Sequence, residues 1–242
     1  MFDAIRAVLF DFDGTLIQQT IDFGAMRHRV LQVVERHGLD AAPYATMHVL
    51  ELIERVETRL DATCAGAGGC FAEEAHAVVT AVELAAAEGA EPFAGVPELL
   101  LWLRDAGYRV GIVTRNCRLA VERVLARRPL ARDVLLTRDD VARVKPDPEH
   151  LLVALERLGV PPEDAVMCGD HPMDVMAGKR AGTATVGILS AALSADGFAG
   201  VGPDLVLPSV VDLAPYLRQR RLQAPDGRAD GCRGSLGIPD GD

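Results

Sequence analysis

Asp11 and Asp13 stand two residues apart in the segment Asp11-Phe12-Asp13-Gly14-Thr15. On extended backbone alternate residues share a face, so both carboxylates can look into one site while Phe12 packs the other way. One carboxylate can attack phosphorus to give an aspartyl-phosphate, and a second can carry the proton of the leaving oxygen and then of water. Gly14 lets the backbone turn away with no side chain obstructing the substrate. The same residues also suit a plain Asp-Gly turn in which Asp13 caps the next stretch of backbone. Asp170 and Asp174 form a second acidic pair within Gly169-Asp170-His171-Pro172-Met173-Asp174. One reading is a helix start, with Pro172 near the first helical position and the two acids answering the helix dipole. The other is a metal site. Each like-charge pair at about 4 Å costs about 4 kcal/mol at an effective dielectric of about 20, so several carboxylates and a phosphate dianion do not gather unaided. A divalent cation with oxygen ligands removes that repulsion, and one that keeps waters beside a phosphate oxygen behaves as Mg²⁺ does.

Cationic and hydroxyl partners occur elsewhere in the chain. Lys145 is one of two lysines, Lys179 being the other, and its ammonium suits a nucleophilic carboxylate and a transferring phosphoryl group. In Lys145-Pro146-Asp147-Pro148 the last two residues read as the N-cap and first position of a helix. Thr114 closes an apolar run and offers its hydroxyl and backbone N–H to a phosphoryl oxygen, with Arg115 and Asn116 beside it as candidate pocket residues. Arg27 and Arg29 suit a solvated helix face better than contact with an acidic substrate. Cys64, Cys70 and His76 do not have the spacing of a closed zinc site. Cys117 and Cys168 read as small buried hydrophobes.

These residues need a scaffold that brings them together. Short continuous apolar runs at Ala7–Phe10 (continued through Phe12), Arg109–Val113, Val134–Leu136, Ala165–Cys168 and Thr183–Leu189 read as strands buried on both faces of a parallel sheet. Helical patterns at Glu98–Ala106 and Leu151–Leu158 lie between them and stop at Gly107 and Gly159. The alternation predicts a doubly wound α/β fold, and the polar clusters fall at the carboxyl ends of its strands, where such sheets bind ligands. Residues 18–91 break the alternation with three helical patterns, Met26–His37, Tyr44–Leu60 and Phe71–Glu88, the last two joined by a flexible Ala-Gly stretch at 65–69. The expected organisation is an α/β core of residues 1–17 and 92–220, a helical cap domain at 18–91, and a disordered tail at 221–242, rich in Gly, Asp, Pro and Arg.

Composition narrows the class of partner. The 242 residues are 49% hydrophobic and 25% charged, within the range of globular chains. Twenty-five basic against 35 acidic residues leave a net charge of −10, which disfavours nucleic acid as a partner. A small phosphorylated molecule stays open, because the local field at a site can oppose the global sign. No apolar run approaches the roughly 18 residues of a membrane span. The acidic Met1-Phe2-Asp3 start and five cysteines without a C-x-x-C spacing point to a reducing, cytoplasmic setting.

Taken together the clusters resemble the haloacid dehalogenase superfamily, most of whose members are phosphatases. Its four motifs occur in order as DFDGT at 11–15, Thr114, Lys145, and GDxxxD at 169–174. Pro92-Phe93-Ala94-Gly95-Val96 and Ala181-Gly182 match its flanking stretches, so the likeness spans about residues 5–215. The resemblance is closest to phosphoglycolate-phosphatase-like members, which carry a helical cap after the first motif. It implies a Rossmann-like core, Asp11 as nucleophile and Asp13 as general acid/base. It also implies Mg²⁺ held by Asp11, the Asp13 carbonyl and Asp170, with Asp174 directly or through water, while Thr114 and Lys145 stabilise phosphoryl oxygens. Asp13 argues against a true dehalogenase, and the absence of lysine before residue 145 excludes the phosphonate-cleaving branch, which needs a cap lysine. His171-Pro172-Met173 replaces the small polar residues commoner in motif four. The expected activity is Mg²⁺-dependent hydrolysis of a small phosphorylated metabolite, phosphoglycolate-like in kind. A phosphomutase, a pyrophosphatase or nucleotidase, and an inactive phosphate-binding regulatory protein are the alternatives.

Overall fold

The structure, a computed structural model, describes residues 4–18, 21–190 and 195–221. Six parallel strands, β1 (Ala7–Phe10), β2 (Arg109–Val113), β3 (Val134–Leu136), β4 (Ala165–Gly169), β5 (Ala184–Ile188) and β6 (Leu205–Leu207), form one sheet in the order β3-β2-β1-β4-β5-β6. The sixth strand, only three residues long, is additional to the five that the apolar runs predict. Alternate residues of β1 enter different cores, as the pleat requires. Val8 and Phe10 pack with α4 (Val96–Asp105), α5 (Arg118–Arg127) and α8 (Leu213–Arg221), through Leu99, Leu103, Val121, Val124, Leu213 and Leu217. Ala7 and Leu9 pack on the opposite face with α6 (Glu149–Leu158) and α7 (Pro172–Ala181), through Leu151, Leu155, Ala177 and Ala181. The sheet is therefore covered on both sides, the doubly wound α/β arrangement the run pattern predicts. From β1 the strands are laid outward to β3, then the chain returns to place β4 on the other flank of β1. That reversal opens a crevice beyond the carboxyl ends of β1 and β4, where open sheets receive ligands.

Three helices lie between β1 and α4: α1 (Phe23–Arg36), α2 (Val49–Asp61) and α3 (Ala67–Ala87). Met26, Val30, Leu52, Ile53, Val56, Phe71, Ala75 and Val79 give this helical insert an apolar cluster of its own. The C-terminal end of α3 leaves that cluster, and its Leu84 and Ala87 join the core above the sheet. Several boundaries differ from those expected. Helix α1 starts at Phe23 because the Asp22 carboxylate caps it, accepting from the Ala25 N–H at 2.8 Å. Helix α2 starts at Val49, not Tyr44, since Ala42–Tyr44 forms a separate 3-10 turn around Pro43. Residues 67–69, expected to be a flexible joint, are the first turn of α3. Asp61 Oδ1 accepts from the N–H groups of Gly66 and Gly68 at 3.1 and 2.9 Å, and a Cβ at Gly68 would lie 2.4 Å from the Glu57 carbonyl. The expected tail lies outside the described residues beyond Arg221.

Phe71 is fully buried at the centre of the insert. Phe71→Ala is expected to destabilise the protein by about 3–5 kcal/mol, since cavity formation adds to the lost burial. Urea titration of both proteins measures this, and a difference below about 1 kcal/mol would show that the insert does not depend on that cluster.

Candidate active site

The backbone of β1 continues one residue past the strand, Asp11 N–H donating to the Cys168 carbonyl at 2.9 Å, and then closes on itself. Leu16 and Ile17 N–H both donate to the Phe12 carbonyl, at 3.0 and 2.9 Å, so residues 12–17 form a tight turn. Phe12 points into the core, as the alternation predicts, although β1 itself stops at Phe10. Gly14 has φ +90°, and a Cβ there would lie 2.4 Å from Asp170 Oδ2. Glycine is thus required by close approach as well as by backbone angle. Thr15 completes the junction. Its hydroxyl donates to Asp170 Oδ1 at 3.2 Å and accepts from the Asp170 N–H at 3.1 Å.

Lys145 arrives from the loop after β3 and is 1% exposed. Its Nζ donates to Asp11 Oδ1 at 2.6 Å and lies 2.6 Å from Asp174 Oδ1. Asp11, Asp170 and Asp174 each offer an oxygen, and these atoms lie within 4.8 Å of one another, which makes them the one such group able to hold a metal among the described residues. Asp13 contributes no side-chain oxygen to that group. Asp174 faces two ways. Its Oδ2 accepts from the His171 N–H at 3.1 Å, closing a capping box at the start of α7, while Oδ1 faces Lys145. His171 is the N-cap, so Asp170 is released from the capping role considered for it. A Cβ on Gly169 would meet Asp174 Oδ2 at 2.2 Å, so this position too admits only glycine. Asp147 is displaced by one residue from its expected role: Pro148 is the N-cap of α6, and Asp147 Oδ1 accepts from the Glu149 N–H at 2.9 Å.

Burial pushes Asp11 well above its ordinary carboxylate pKa. Lys145 opposes the rise, and Asp174, Asp170 and Asp13 add to it. Burial and Asp174 lift Asp170 to about 6. Burial also works against the charge on Lys145, but Asp11 and Asp174 outweigh it and hold the ammonium above its ordinary value. Beneath it His150 is buried and pushed down to about 3, first by burial and then by Lys145, so the ring stays neutral and can accept the Lys145 backbone N–H at 3.4 Å. Nothing in the sequence marks His150 for this place.

Asp13 sits in a separate seat. Asn116 Nδ2 donates to its Oδ2 at 3.0 Å and the Thr114 hydroxyl donates to the same oxygen at 3.4 Å. Burial raises Asp13 to about 6 against these two hydrogen bonds, with the Glu83 carboxylate adding to the rise. The Thr114 N–H expected to meet a phosphoryl oxygen is instead used by the sheet, donating to the Leu136 carbonyl at 2.9 Å. Arg115 extends from the core towards the insert, touching the Met173 sulfur and lying 3.6 Å from Glu51 of α2. One turn earlier, His48 packs edge-on against His171, ring centroids 5.4 Å apart. Glu51 and His48 carry no signal as site residues in the sequence, because each belongs to the site only through the docking of the insert, whereas His171 stands within the fourth motif. Arg29 is exposed, whereas Arg27 is half-buried with its Nε lacking a partner among the described residues. Cys64 and Cys70 are exposed, and Cys117 and Cys168 are buried.

The ammonium is the main counter-charge to these acids. In metal-free protein, Lys145→Met is therefore expected to lower stability by about 3–5 kcal/mol, the usual effect of leaving buried charge unpaired. Adding Asp11→Asn should recover part of that loss, and an unchanged urea midpoint for Lys145→Met would contradict the pairing.

The chain matches the haloacid dehalogenase-like hydrolase family over residues 5–182. It is 33% identical over 215 residues to a pyrophosphatase, PpaX, of Bacillus velezensis, covering 86% of this chain and 94% of that one. A HAD family hydrolase from Deinococcus radiodurans, solved with bound phosphate and sodium, superposes with a TM-score of 0.60 at 25% identity, covering 91% and 98%. A β-phosphoglucomutase from Clostridium difficile shares the fold, with a TM-score of 0.64 at 17% identity over 90% and 98%. Among the described residues no helix is long and apolar enough to cross a membrane. With its motifs gathered at one crevice and the family match spanning most of its length, the chain belongs to the haloacid dehalogenase-like hydrolases.

Proposed function

We propose that the protein is a Mg²⁺-dependent phosphatase that transfers the phosphoryl group of a small phosphorylated molecule to Asp11 and then to water. The observation that carries this reading is the convergence of Lys145 with Asp11 and Asp174, from strand ends 134 residues apart, in a buried crevice. Asp11 presents a carboxylate whose Oδ1 is fixed by the ammonium, an arrangement suited to in-line attack on phosphorus. Asp13, held at about 6 by burial, can carry a proton near neutral pH; it protonates the leaving oxygen and later removes a proton from water. Lys145 faces the charge that develops on the transferring group, and the Thr114 hydroxyl is placed to do the same if it leaves Asp13. The helical insert acts as a cap that excludes water during transfer.

The donor set fits the metal that the family uses. It is all oxygen and largely buried, and burial first and then the charge of Asp174 raise Asp11 and Asp170; a hard divalent cation removes that repulsion. Asp11 and Asp170, with the Asp13 carbonyl and Asp174, would hold it, and when bound it neutralises charge on the phosphoryl oxygens. The phosphate bound in the Deinococcus radiodurans relative supports a phosphoryl site in this fold.

Pyrophosphate is favoured as substrate by a second observation. Arg115, half-buried at the mouth, is paired among the described residues with the exposed Glu51 carboxylate at 3.6 Å and feels Asp174 and Asp11 beyond it, and the relative at 33% identity is a pyrophosphatase. A substrate with a second anionic group near the transferring phosphorus would take that guanidinium, as a pyrophosphate or a phosphorylated carboxylic acid does.

Hydrolysis of pyrophosphate, phosphoglycolate and p-nitrophenyl phosphate, with and without Mg²⁺, tests this reading. Phosphate release that needs Mg²⁺ and vanishes in Asp11→Asn is the expected outcome, and undiminished release by that variant would overturn the nucleophile assignment. Lys145→Ala is expected to lose about 10²–10³-fold in kcat, as for removal of a transition-state donor. Arg115→Ala should raise KM more for pyrophosphate than for p-nitrophenyl phosphate, and an equal change for both would remove the second-anion reading.

A further inference from the structure

Glu83 and Arg138 form an ion pair that the chemistry above does not use. Glu83 lies on α3 of the insert and Arg138 in the 3-10 turn after β3, with side chains 6% and 8% exposed and Arg138 Nη1 2.5 Å from Glu83 Oε1. The pair is hydrogen-bonded on every side. Arg138 Nη2 donates to the Thr80 hydroxyl on α3 at 3.1 Å, and Nη1 also donates to the Arg115 carbonyl at 3.2 Å. The other Glu83 oxygen accepts from the Cys117 N–H at 3.3 Å, and the Arg138 N–H donates to the Asn116 carbonyl at 3.2 Å. Residues 115, 116 and 117 are thus held at three successive backbone groups, and the side chain between them, Asn116, is the one whose Nδ2 fixes Asp13 Oδ2 at 3.0 Å.

Stability alone does not account for such a pair. Buried ion pairs replaced by apolar residues of similar size are often neutral or stabilising, because desolvation offsets the attraction. The neighbouring positions on α3, Val79, Leu84 and Ala87, are apolar and would receive an apolar side chain readily. What an apolar pair cannot supply is directional hydrogen bonding to the 115–117 backbone.

We propose that Glu83 and Arg138 are positioning residues for proton transfer, which hold the 115–117 loop so that Asn116 keeps Asp13 aimed at the leaving oxygen. The inference rests on Asp13 being the general acid/base. Because Glu83 belongs to α3, the seat of that proton carrier is completed by the helical insert and not by the sheet alone. The proton moves from the Asp13 carboxyl to the leaving alkoxide as the phosphorus–oxygen bond breaks. An alkoxide needs that proton, whereas p-nitrophenolate leaves without it. Poor aim of Asp13 therefore slows alkyl esters selectively, and a merely structural defect slows both.

The test is single-turnover release of the leaving group from ethyl phosphate and p-nitrophenyl phosphate by the full chain with Mg²⁺. Glu83→Gln keeps the volume and an acceptor for Cys117 but removes the charge that binds Arg138. It is expected to lower the ethyl-to-p-nitrophenyl rate ratio about tenfold, part of the 10²–10⁴ that acid–base catalysis supplies, with KM for ethyl phosphate within about twofold. The double variant Glu83→Met/Arg138→Met, expected to stay folded by thermal melting, should lower the ratio equally and decides the matter if Glu83→Gln folds poorly. Combined with Asn116→Ala, Glu83→Gln should add nothing further to the change in ratio, since the two act in series. Equal losses on both esters, no loss, or full additivity with Asn116→Ala would overturn the proposal while leaving the phosphatase reading intact. Wild-type protein inactive on both esters and on pyrophosphate would overturn that reading and this one together, whereas activity on pyrophosphate alone would overturn this proposal, which needs an alkoxide leaving group, and leave the phosphatase reading intact.

Discussion

The arrangement depends on like charges held closer than they would choose. Asp11, Asp170 and Asp174 come to one buried point, and the Lys145 ammonium, 2.6 Å from two of them, is the cation that the chain itself supplies. A single positive charge against three acids leaves the cluster short of neutrality, and burial first, then that shortage, raises the carboxylates of Asp11 and Asp170. Such a site has a standing attraction for a hard divalent cation and, with one bound, for a phosphoryl group. The same imbalance that strains the crevice prepares it for phosphate chemistry, and the global charge of −10 does not bear on it.

Topology makes that concentration of charge possible. Asp11 follows β1 and Asp170 follows β4, adjacent strands in the sheet although most of the chain separates them in sequence. Both leave at their carboxyl ends, and the two glycines at the exits, Gly14 and Gly169, clear the volume that Asp170 and Asp174 occupy. Helix α7 adds its own contribution, since Asp174 in its first turn is held by the His171 N–H and favoured by the positive end of the helix. The insert closes the other side through His48 against His171, Glu51 near Arg115, and Glu83 on Arg138.

Much of this is legible in the residues because the signals are local. Continuous apolar runs mark buried parallel strands and place five of the six to within a residue or two, while β6, at the edge of the sheet, is missed although it is no shorter than β3. Asp11, Lys145, Asp170 and Asp174 announce themselves by type and spacing, and the structure brings them together. Thr114 is visible in the sequence but its partners are not, since only the sheet register shows that its N–H is taken by Leu136. The joint expected at 65–69 is confined to 65–66 because composition reports the freedom of Ala and Gly, whereas the Asp61 carboxylate and the close packing on α2 draw residues 67–69 into α3. Glu83, Arg138, His48 and Glu51 are invisible for a common reason: each matters through a contact between the insert and the core, and no periodicity within one helix encodes its partner.

Chemical trapping of the covalent intermediate tests the central claim most directly. Acid-quenching the enzyme during turnover, reducing any acyl phosphate with borohydride and sequencing the peptides by mass spectrometry reads which carboxylate carried the phosphoryl group. Conversion of residue 11 alone to homoserine is the predicted result. Homoserine at position 13, 170 or 174, or steady turnover with no acyl phosphate at any position, would contradict it.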